Sequence, residues 1–343
     1  MFPYSTSGKQ KEETEMAAYN LTAAVIGTGY IGTQHIEALK NIVSDIVLCN
    51  TDEESGKRAS EKYGLRFYND LDQLLDNERI DFACICVPTP VHCKIAHKLL
   101  DKGVNVLCEK PFATSCDDAY EVVKSAKEKN LKLMVAHCVR FSKQYEFLKR
   151  CIEDGRYGKL ISLNLHRNGP APAWSKDNWL LGNSSGGVLL DVHIHDTDVL
   201  NFMLGVPKTV YTKGSFSCNT TLYGYDDGLL ISASASWRNA SSYPFMPGFE
   251  ASFEHGVLKL YDNVLYLYTN DGICNEPEKS EQYPDYLKSY NLIENEITYF
   301  CNCLETGVLP ERCLPEDSLK SLEIVFSEFN SVASGKEIQL DLQ

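Results

Sequence analysis

At 343 residues the chain has room for two folded units rather than one, since single cores rarely grow beyond about 250 to 300 residues. A formal charge of −14 without any dense Lys/Arg run excludes nucleic acid and an anionic membrane surface as main partners, and no run approaches the roughly 18 apolar residues of a membrane span. Its 13 cysteines lie scattered through apolar contexts with no C-x-x-C pair, so they read as reduced core thiols rather than zinc ligands, and a cytoplasmic location is expected.

Residues 1–20 are polar and charged without usable periodicity and read as a mobile tail, with Met16 as an alternative start. The apolar run Ala23-Ala24-Val25-Ile26 then leads into Gly27-Thr28-Gly29-Tyr30-Ile31-Gly32, the spacing G-x-G-x-x-G. Ile31, His35 to Ala38, Leu39 and Ile42 follow at helical spacing, so the glycines fall where a strand turns into a helix. Gly27 allows the tight turn, Gly29 lets a pyrophosphate approach the backbone, and Gly32 lets the helix pack closely on the strand. The helix N-terminus offers N–H groups and the positive end of its dipole to phosphate, and dinucleotide binding is the reading this context supports.

A second strand over 46–49 ends at Asn50-Thr51, the position from which an adenosine ribose is read. An acidic residue there would hold both ribose hydroxyls and repel a 2′-phosphate; Asn50 and Thr51 hydrogen-bond without that repulsion. Asp52 favours NAD while Lys57 and Arg58 favour NADP, so the cofactor is NAD or NADP, with NAD slightly ahead. Helices over 53–63 and 70–75 precede a buried strand over 80–87, which ends in Val87-Pro88-Thr89-Pro90-Val91-His92. Helix 92–102 and strand 104–108 follow, and that strand stops abruptly at Glu109-Lys110-Pro111. Charged residues at the carboxyl end of a parallel strand stand on the edge where such sheets bind ligands. A helix starting at Ser115-Cys116-Asp117-Asp118 and a strand over 131–136 complete the alternation, which specifies an α/β unit with a doubly wound parallel sheet over 21–138.

From His137 the pattern changes. Helix 143–154, strand 160–166, a Pro/Trp loop over 169–185 and a long helix over 187–204 are followed by β-rich runs at 209–217, 229–237, 249–253, 257–261 and 264–268. Helices at 285–305 and 315–333 and a short strand at 337–340 complete an α+β unit over 139–343 with a large, mainly antiparallel open sheet. Within the long helix, Asp191 and His195 are four apart and share one face. An aspartate there can fix an imidazole's tautomer and make it a general base; a plain helix-surface hydrogen bond is the other reading. His193 and His195 are two apart and point away from each other, so no metal site is expected. Arg167, Asn168, Trp174 and Trp179 fall where a loop covers a cleft and suit either a sugar or the packing of a domain interface; Arg167 and Trp179 are the expected substrate contacts.

Taken in chain order, Gly27 to Gly32, Pro88-Thr89-Pro90-Val91-His92, Glu109-Lys110-Pro111, Val139-Arg140-Phe141, and Gly186-Gly187 followed by Asp191 and His195 resemble the Gfo/Idh/MocA oxidoreductase family. The resemblance runs from about residue 21 past Gly205, and it implies a Rossmann domain followed by the family's β-rich C-terminal domain. The implied activity is NAD(P)-dependent transfer of a hydride between nicotinamide and a secondary alcohol or ketone of a sugar, a cyclitol such as inositol, or a sugar derivative. Lys110 and His195 would flank the reacting carbon, Asp191 would orient the pair, and the Lys110–Pro111 peptide would be cis. Cofactor contacts are expected from Gly27, Thr28, Gly29, Tyr30, Ile31, Gly32, Asn50, Thr51, Val87, Pro88, Thr89, His92, Glu109 and Lys110, and substrate contacts from Lys110, Asp191 and His195. The chain departs from the family at Val87, where Thr is frequent, and at Asn50, where Asp is common. Expected partners are a small sugar or polyol and further copies of the chain in a homodimer or homotetramer. Two alternatives compete: a redox-neutral NAD-dependent glycosidase using the same site, and a non-catalytic dinucleotide-binding sensor, against which the joint presence of Lys110, Asp191 and His195 speaks.

Overall fold

The computed structural model describes residues 19–171, 186–226 and 228–342. Strand β1 (Tyr19–Ile26) begins two residues inside the stretch read as a tail, and its last four side chains are buried. The alternation continues through α1 (Tyr30–Leu39), β2 (Val43–Cys49), α2 (Glu53–Tyr63), β3 (Arg66–Tyr68), α3 (Leu71–Asn77), β4 (Phe82–Ile85), α4 (His92–Asp101), β5 (Asn105–Glu109), α5 (Cys116–Glu128) and β6 (Leu133–Ala136). Side-chain caps set three of the helix starts: Asp52, Asp70 and Ser115 each accept a backbone N–H three residues on. The strands pair in parallel in the order β3-β2-β1-β4-β5-β6. The order reverses between β1 and β4, so the ligand crevice of this doubly wound sheet opens beyond Ile26 and Ile85. The three-residue β3 was not read from the sequence.

The second half runs through α6 (Lys143–Asp154), β7 (Leu160–Asn168), a π-helical segment (Leu189–His193), α7 (Ile194–Leu204), β8 (Thr209–Ser215), β9 (Cys218–Gly224), β10 (Leu230–Ser236), β11 (Met246–Phe253), β12 (Gly256–Tyr261), β13 (Val264–Thr269), β14 (Gly272–Asn275), α8 (Leu292–Thr306), α9 (Pro315–Ser334) and β15 (Ile338–Gln339). Its nine strands form one sheet ordered β14-β13-β12-β11-β7-β10-β9-β8-β15. Only β7 and β10 pair in parallel among these neighbours. Strands β9 and β14 are additions to the sequence reading, and the helix expected from 285 begins at Leu292, because the Asn291 side chain caps it on Ile293 and Glu294.

Leu163, Leu165, Ile231, Ala233, Phe249 and Leu258 bury one face of this sheet against α6 and α7. The other face exposes Leu222, Leu230, Tyr261 and Tyr268. The last helices do not stay with the second sheet. Ile297, Phe300 and Cys301 of α8 join Val25, Cys84 and Leu107 in a core of the first sheet. From α9, Leu322 and Val325 enter the core on that sheet's other face, while Ile324 enters the core of the second sheet. These helices hold the two sheets in a fixed relation, with the π segment between them. All thirteen cysteines are free thiols. Among the described residues no helix is long and apolar enough to cross a membrane.

Candidate active site

The glycine turn fits a dinucleotide phosphate. Gly27 has φ +98°, and a Cβ there would sit 2.5 Å from the Cys86 carbonyl oxygen; a Cβ on Gly32 would overlap the Gly27 carbonyl. A Cβ on Gly29 would meet open space, so approach is unobstructed there. Helix α1 has no side-chain cap at Gly29 and no acidic residue in its first turn, which leaves its positive end for an anion. Asn50 lies at the end of β2, where its Nδ2 donates to Thr28 Oγ1 at 2.6 Å and its Oδ1 accepts from Asp52 N at 3.3 Å. Tyr30, Thr51 and Pro88 are exposed, Ile31 and Val87 half-buried, and Thr28 and Thr89 buried.

Two residues expected at the cofactor face inward instead. His92 is buried, with Nδ1 3.0 Å from the Pro111 carbonyl oxygen and Nε2 2.8 Å from that of Val87, so it ties the turn after β4 to the turn after β5. Glu109 is also buried; its Oε1 accepts from His35 Nε2 at 2.9 Å and its Oε2 from the Lys110 backbone N–H at 3.1 Å. Both hold the Lys110 turn from behind, which a strand-end position did not reveal.

The Lys110–Pro111 peptide is cis. Lys110 Nζ donates to the Asp191 carbonyl oxygen at 2.7 Å and to Asp191 Oδ1 at 3.0 Å. Burial disfavours this ammonium, but the Asp191 and Glu109 carboxylates outweigh burial and hold its pKa above the ordinary lysine value. Asp191 stands in the π segment, where the ladder is wider than in an α-helix. Gly186 and Gly187 start that segment with φ of +75° and +63°, and Val188 N–H donates to the Phe216 carbonyl at 2.9 Å. The regular helix expected over 187–204 is therefore out of register with the structure, and the Asp191 partner found among the described residues is Lys110 rather than His195.

His195 lies in the first turn of α7, half-buried, and its Nδ1 has no hydrogen-bond partner among the described residues. Burial, then the neighbouring Lys110, Arg167 and His137, push its pKa well below the usual histidine value, so the ring is neutral. His137, just beyond β6, is buried beside it and driven to about 4, chiefly by burial.

Arg167, expected at the substrate, is buried and engaged by protein groups. Its Nε donates to Asp196 Oδ1 at 2.7 Å and one terminal nitrogen to the Tyr145 hydroxyl at 3.2 Å, all of it buried. Arg140 likewise pairs with Asp198 through two bonds of 2.8 and 2.7 Å, and Ser321 of α9 donates to the same carboxylate at 2.8 Å. His193 is buried with Nε2 3.1 Å from the Thr221 hydroxyl and 3.0 Å from that of Tyr223, whose O–H donates to Glu328 at 2.8 Å. These contacts fix the helix that carries His195 from several sides. Trp174 and Trp179 lie outside the described residues. The sequence reading missed His35, His137, Asp198 and Glu328 as supports; for His35, Asp198 and Glu328 a charged or imidazole side chain on an otherwise apolar helix face was the available signal, and for His137 a histidine directly after a buried strand.

Residues 21–137 match the model of an oxidoreductase family with an NAD-binding Rossmann fold, and residues 145–259 match that of the GFO/IDH/MocA C-terminal domain. The 2,7-anhydro-N-acetylneuraminate hydratase of Mediterraneibacter gnavus is 30% identical over 215 residues, 61% of this chain and 56% of that protein. The myo-inositol 2-dehydrogenase of Thermotoga maritima is 30% identical over 195 residues, 56% of this chain and 57% of that protein. The chain thus spans little more than half the length of these curated relatives. The fold is shared with a solved levoglucosan dehydrogenase, in complex with NADH and levoglucosan, at a TM-score of 0.82 and 20% identity over 93% of this chain and 99% of that one. With a glycine turn shaped for a dinucleotide, the Lys110 turn docked on the helix of His195, and both family domains matched in tandem, the chain belongs to the Gfo/Idh/MocA oxidoreductase family.

Proposed function

We propose that this protein is an NAD(P)-dependent oxidoreductase that moves a hydride between nicotinamide and a secondary alcohol carbon of a sugar, a cyclitol or a related derivative. The observation that carries the reading is the contact of the Lys110 ammonium with Asp191, because it joins the ligand edge of the first sheet to the helix of His195. The bound dinucleotide supplies the hydride acceptor or donor. Neutral His195 takes the hydroxyl proton of the alcohol. The Lys110 ammonium, kept charged by Asp191 and Glu109, stabilises the developing alkoxide where little water competes. The buried Arg167–Asp196 and Arg140–Asp198 pairs hold the helix beneath, so the base is positioned before substrate arrives. Relatives named for inositol and levoglucosan support the sugar or cyclitol class. The apolar side chains on the uncovered face of the second sheet support a homodimer or homotetramer.

The test offers purified protein NAD and NADP separately against inositols, free sugars, sugar phosphates and nucleotide sugars, following nicotinamide absorbance, with Lys110→Ala as the blank. A Lys110-dependent rise with one cofactor is the expected result and would also decide between the cofactors. A second reading is favoured by the likeness to a hydratase, whose reaction leaves the overall oxidation state unchanged. Substrate consumption without net cofactor turnover would establish that reading, and dinucleotide binding without any chemistry would leave the sensor.

A further inference from the structure

Directly behind the Lys110 turn, α1, β5 and α8 bring His35, Glu109 and Glu296 together, all buried, with one side-chain nitrogen or oxygen of each lying within 4.8 Å of the others. Glu109 is engaged on both oxygens, by His35 Nε2 at 2.9 Å and by the Lys110 backbone N–H at 3.1 Å. Glu296 has no hydrogen-bond partner for either carboxyl oxygen among the described residues. The titratable groups around it are His35 from α1, Glu109 and Lys110 at the end of β5, Cys84 and Cys86 at the end of β4, Cys138 beyond β6, and Cys313 before α9. The four thiols bring no positive charge, and the Lys110 ammonium hydrogen-bonds Asp191 and favours Glu109, with no described bond to Glu296. An ionised Glu296 would therefore set an unpaired carboxylate beside a second one in a dry interior, which like charges at this range do not tolerate. A shared proton or a bound divalent cation would relieve the conflict. The Glu109 carboxylate only accepts, so His35 Nε2 must carry the N–H between them, and that nitrogen has no lone pair left for a cation.

We propose that Glu296 is held as the neutral acid, shares its proton with the Glu109 carboxylate, and so acts as a positioning residue for the Lys110 turn. A helix from the end of the chain thereby holds the carboxylate that holds the Lys110 backbone. Burial, then the charge of Glu109, drives the Glu296 acid far above the carboxylate range. Burial pushes Glu109 the same way, but His35 and Lys110 overcome it and keep Glu109 ionised, so the two carboxyls divide into acid and acceptor. The consequence for turnover rests on the oxidoreductase reading above; the proton itself does not.

The experiment compares wild type with Glu296→Gln, whose amide donates as the acid does, and Glu296→Met, which fills the space without a donor. An acid with a raised folded pKa confers stability that is full below its unfolded pKa and is lost as pH rises towards the folded value. Gln has no such loss. The difference in melting temperature, Glu296→Gln minus wild type, is expected to grow from pH 5 to pH 8, with Glu296→Met below both throughout; the other buried acids titrate alike in the compared proteins and cancel. The infrared spectrum at pH 7 is expected to show a protonated-carboxyl stretch that Glu296→Gln removes. A difference that stays flat or shrinks with pH, no such stretch, or a stoichiometric divalent metal lost in Glu296→Gln would each overturn the proposal. In turnover, Glu296→Met should lower kcat roughly tenfold with little change in cofactor KM, and Glu296→Gln should restore it. A wild type inert toward every polyol, with the pH slope and infrared band as stated, would sink the oxidoreductase reading and leave the shared proton standing.

Discussion

The molecule has two glycine-built helix starts, one before α1 and one before the π segment, and they differ in how much of the chain each depends on. At the first, Gly27 to Gly32 set a turn between β1 and α1 that asks for few outside partners: a left-handed residue packed close to the Cys86 carbonyl, a close approach of Gly32 to Gly27, and an uncapped helix end. At the second, Gly186 and Gly187 open a π segment that runs into α7, and the side chains of both are placed by distant partners, Lys110 for Asp191, Thr221 and Tyr223 for His193, and Ser321 and Arg140 for Asp198 of α7. The first start is a turn that a short stretch of sequence largely specifies; the second, the proposed catalytic platform, exists only once both sheets are assembled.

Breaking the two starts separately should therefore give different losses. Lys110→Ala and His195→Ala are each expected to lower turnover at least about 10²-fold while dinucleotide affinity, measured by nicotinamide fluorescence, changes little. Because burial and neighbouring cations keep His195 neutral, turnover in wild type should hold as pH falls through the usual histidine range, and an acid limb near 6.5 would remove His195 as the base. Gly32→Ala should do the reverse. The new methyl meets the Gly27 carbonyl, so affinity for dinucleotide should collapse, with about 1–3 kcal/mol of stability lost in denaturant titration. Equal effects of all three variants on binding and turnover would erase the distinction between the starts.

The same contrast governs what could be read from the amino-acid order. The five longer strands of the first sheet, the ends of β1, β4 and β5 on one edge, and the helix limits at Asp52, Gly64, Ser115 and Gly155 were legible, because each rests on a neighbour a few residues away. Asp191 and His195 were found as residues but linked by the wrong geometry. An i, i+4 rule presumes a regular helix, and nothing local announces that Leu189 to His193 widen to π. Arg167 and His92 were assigned to ligands for the same reason: a polar residue near a cleft reads as a contact until its buried partners, Asp196 and the two carbonyls, are known.

Titration offers a gentler way to separate the starts. Glu328, behind the second start, is pushed up to about 8 by burial, against the hydrogen bonds from Tyr223 and Thr197. Its neutral form stabilises the fold fully below the unfolded value of about 4.3, and that contribution is lost as pH rises through 8. Glu328→Gln should therefore gain on wild type from pH 5 to pH 8, by at most about 1.4 kcal/mol per pH unit. The penalty of Gly32→Ala should be the same at both pH values, since its turn holds no group that titrates there. Thermal melts of the two variants at pH 5, 6.5 and 8 would check this, and a pH-dependent Gly32→Ala penalty would tie the starts together.

The smallest effect is expected at Asn50, which tunes the first start without rebuilding it. Its Nδ2 donates to the Thr28 hydroxyl at 2.6 Å. An aspartate there would accept from the same hydroxyl, so Asn50→Asp should keep the turn and leave NAD affinity within a few-fold. The added carboxylate would repel a 2′-phosphate, and at a part-exposed site such a charge is worth on the order of 1 kcal/mol, so NADP affinity should fall roughly tenfold. Fluorescence titration with NADH and NADPH reads both changes in one preparation. Because the repulsion is between solvent-facing charges, the NADPH loss should shrink as salt is raised from 0.05 to 0.5 M. A loss that persists at high salt would mean that the substitution had distorted the turn at Thr28, and the first start would then depend on more than its own glycines.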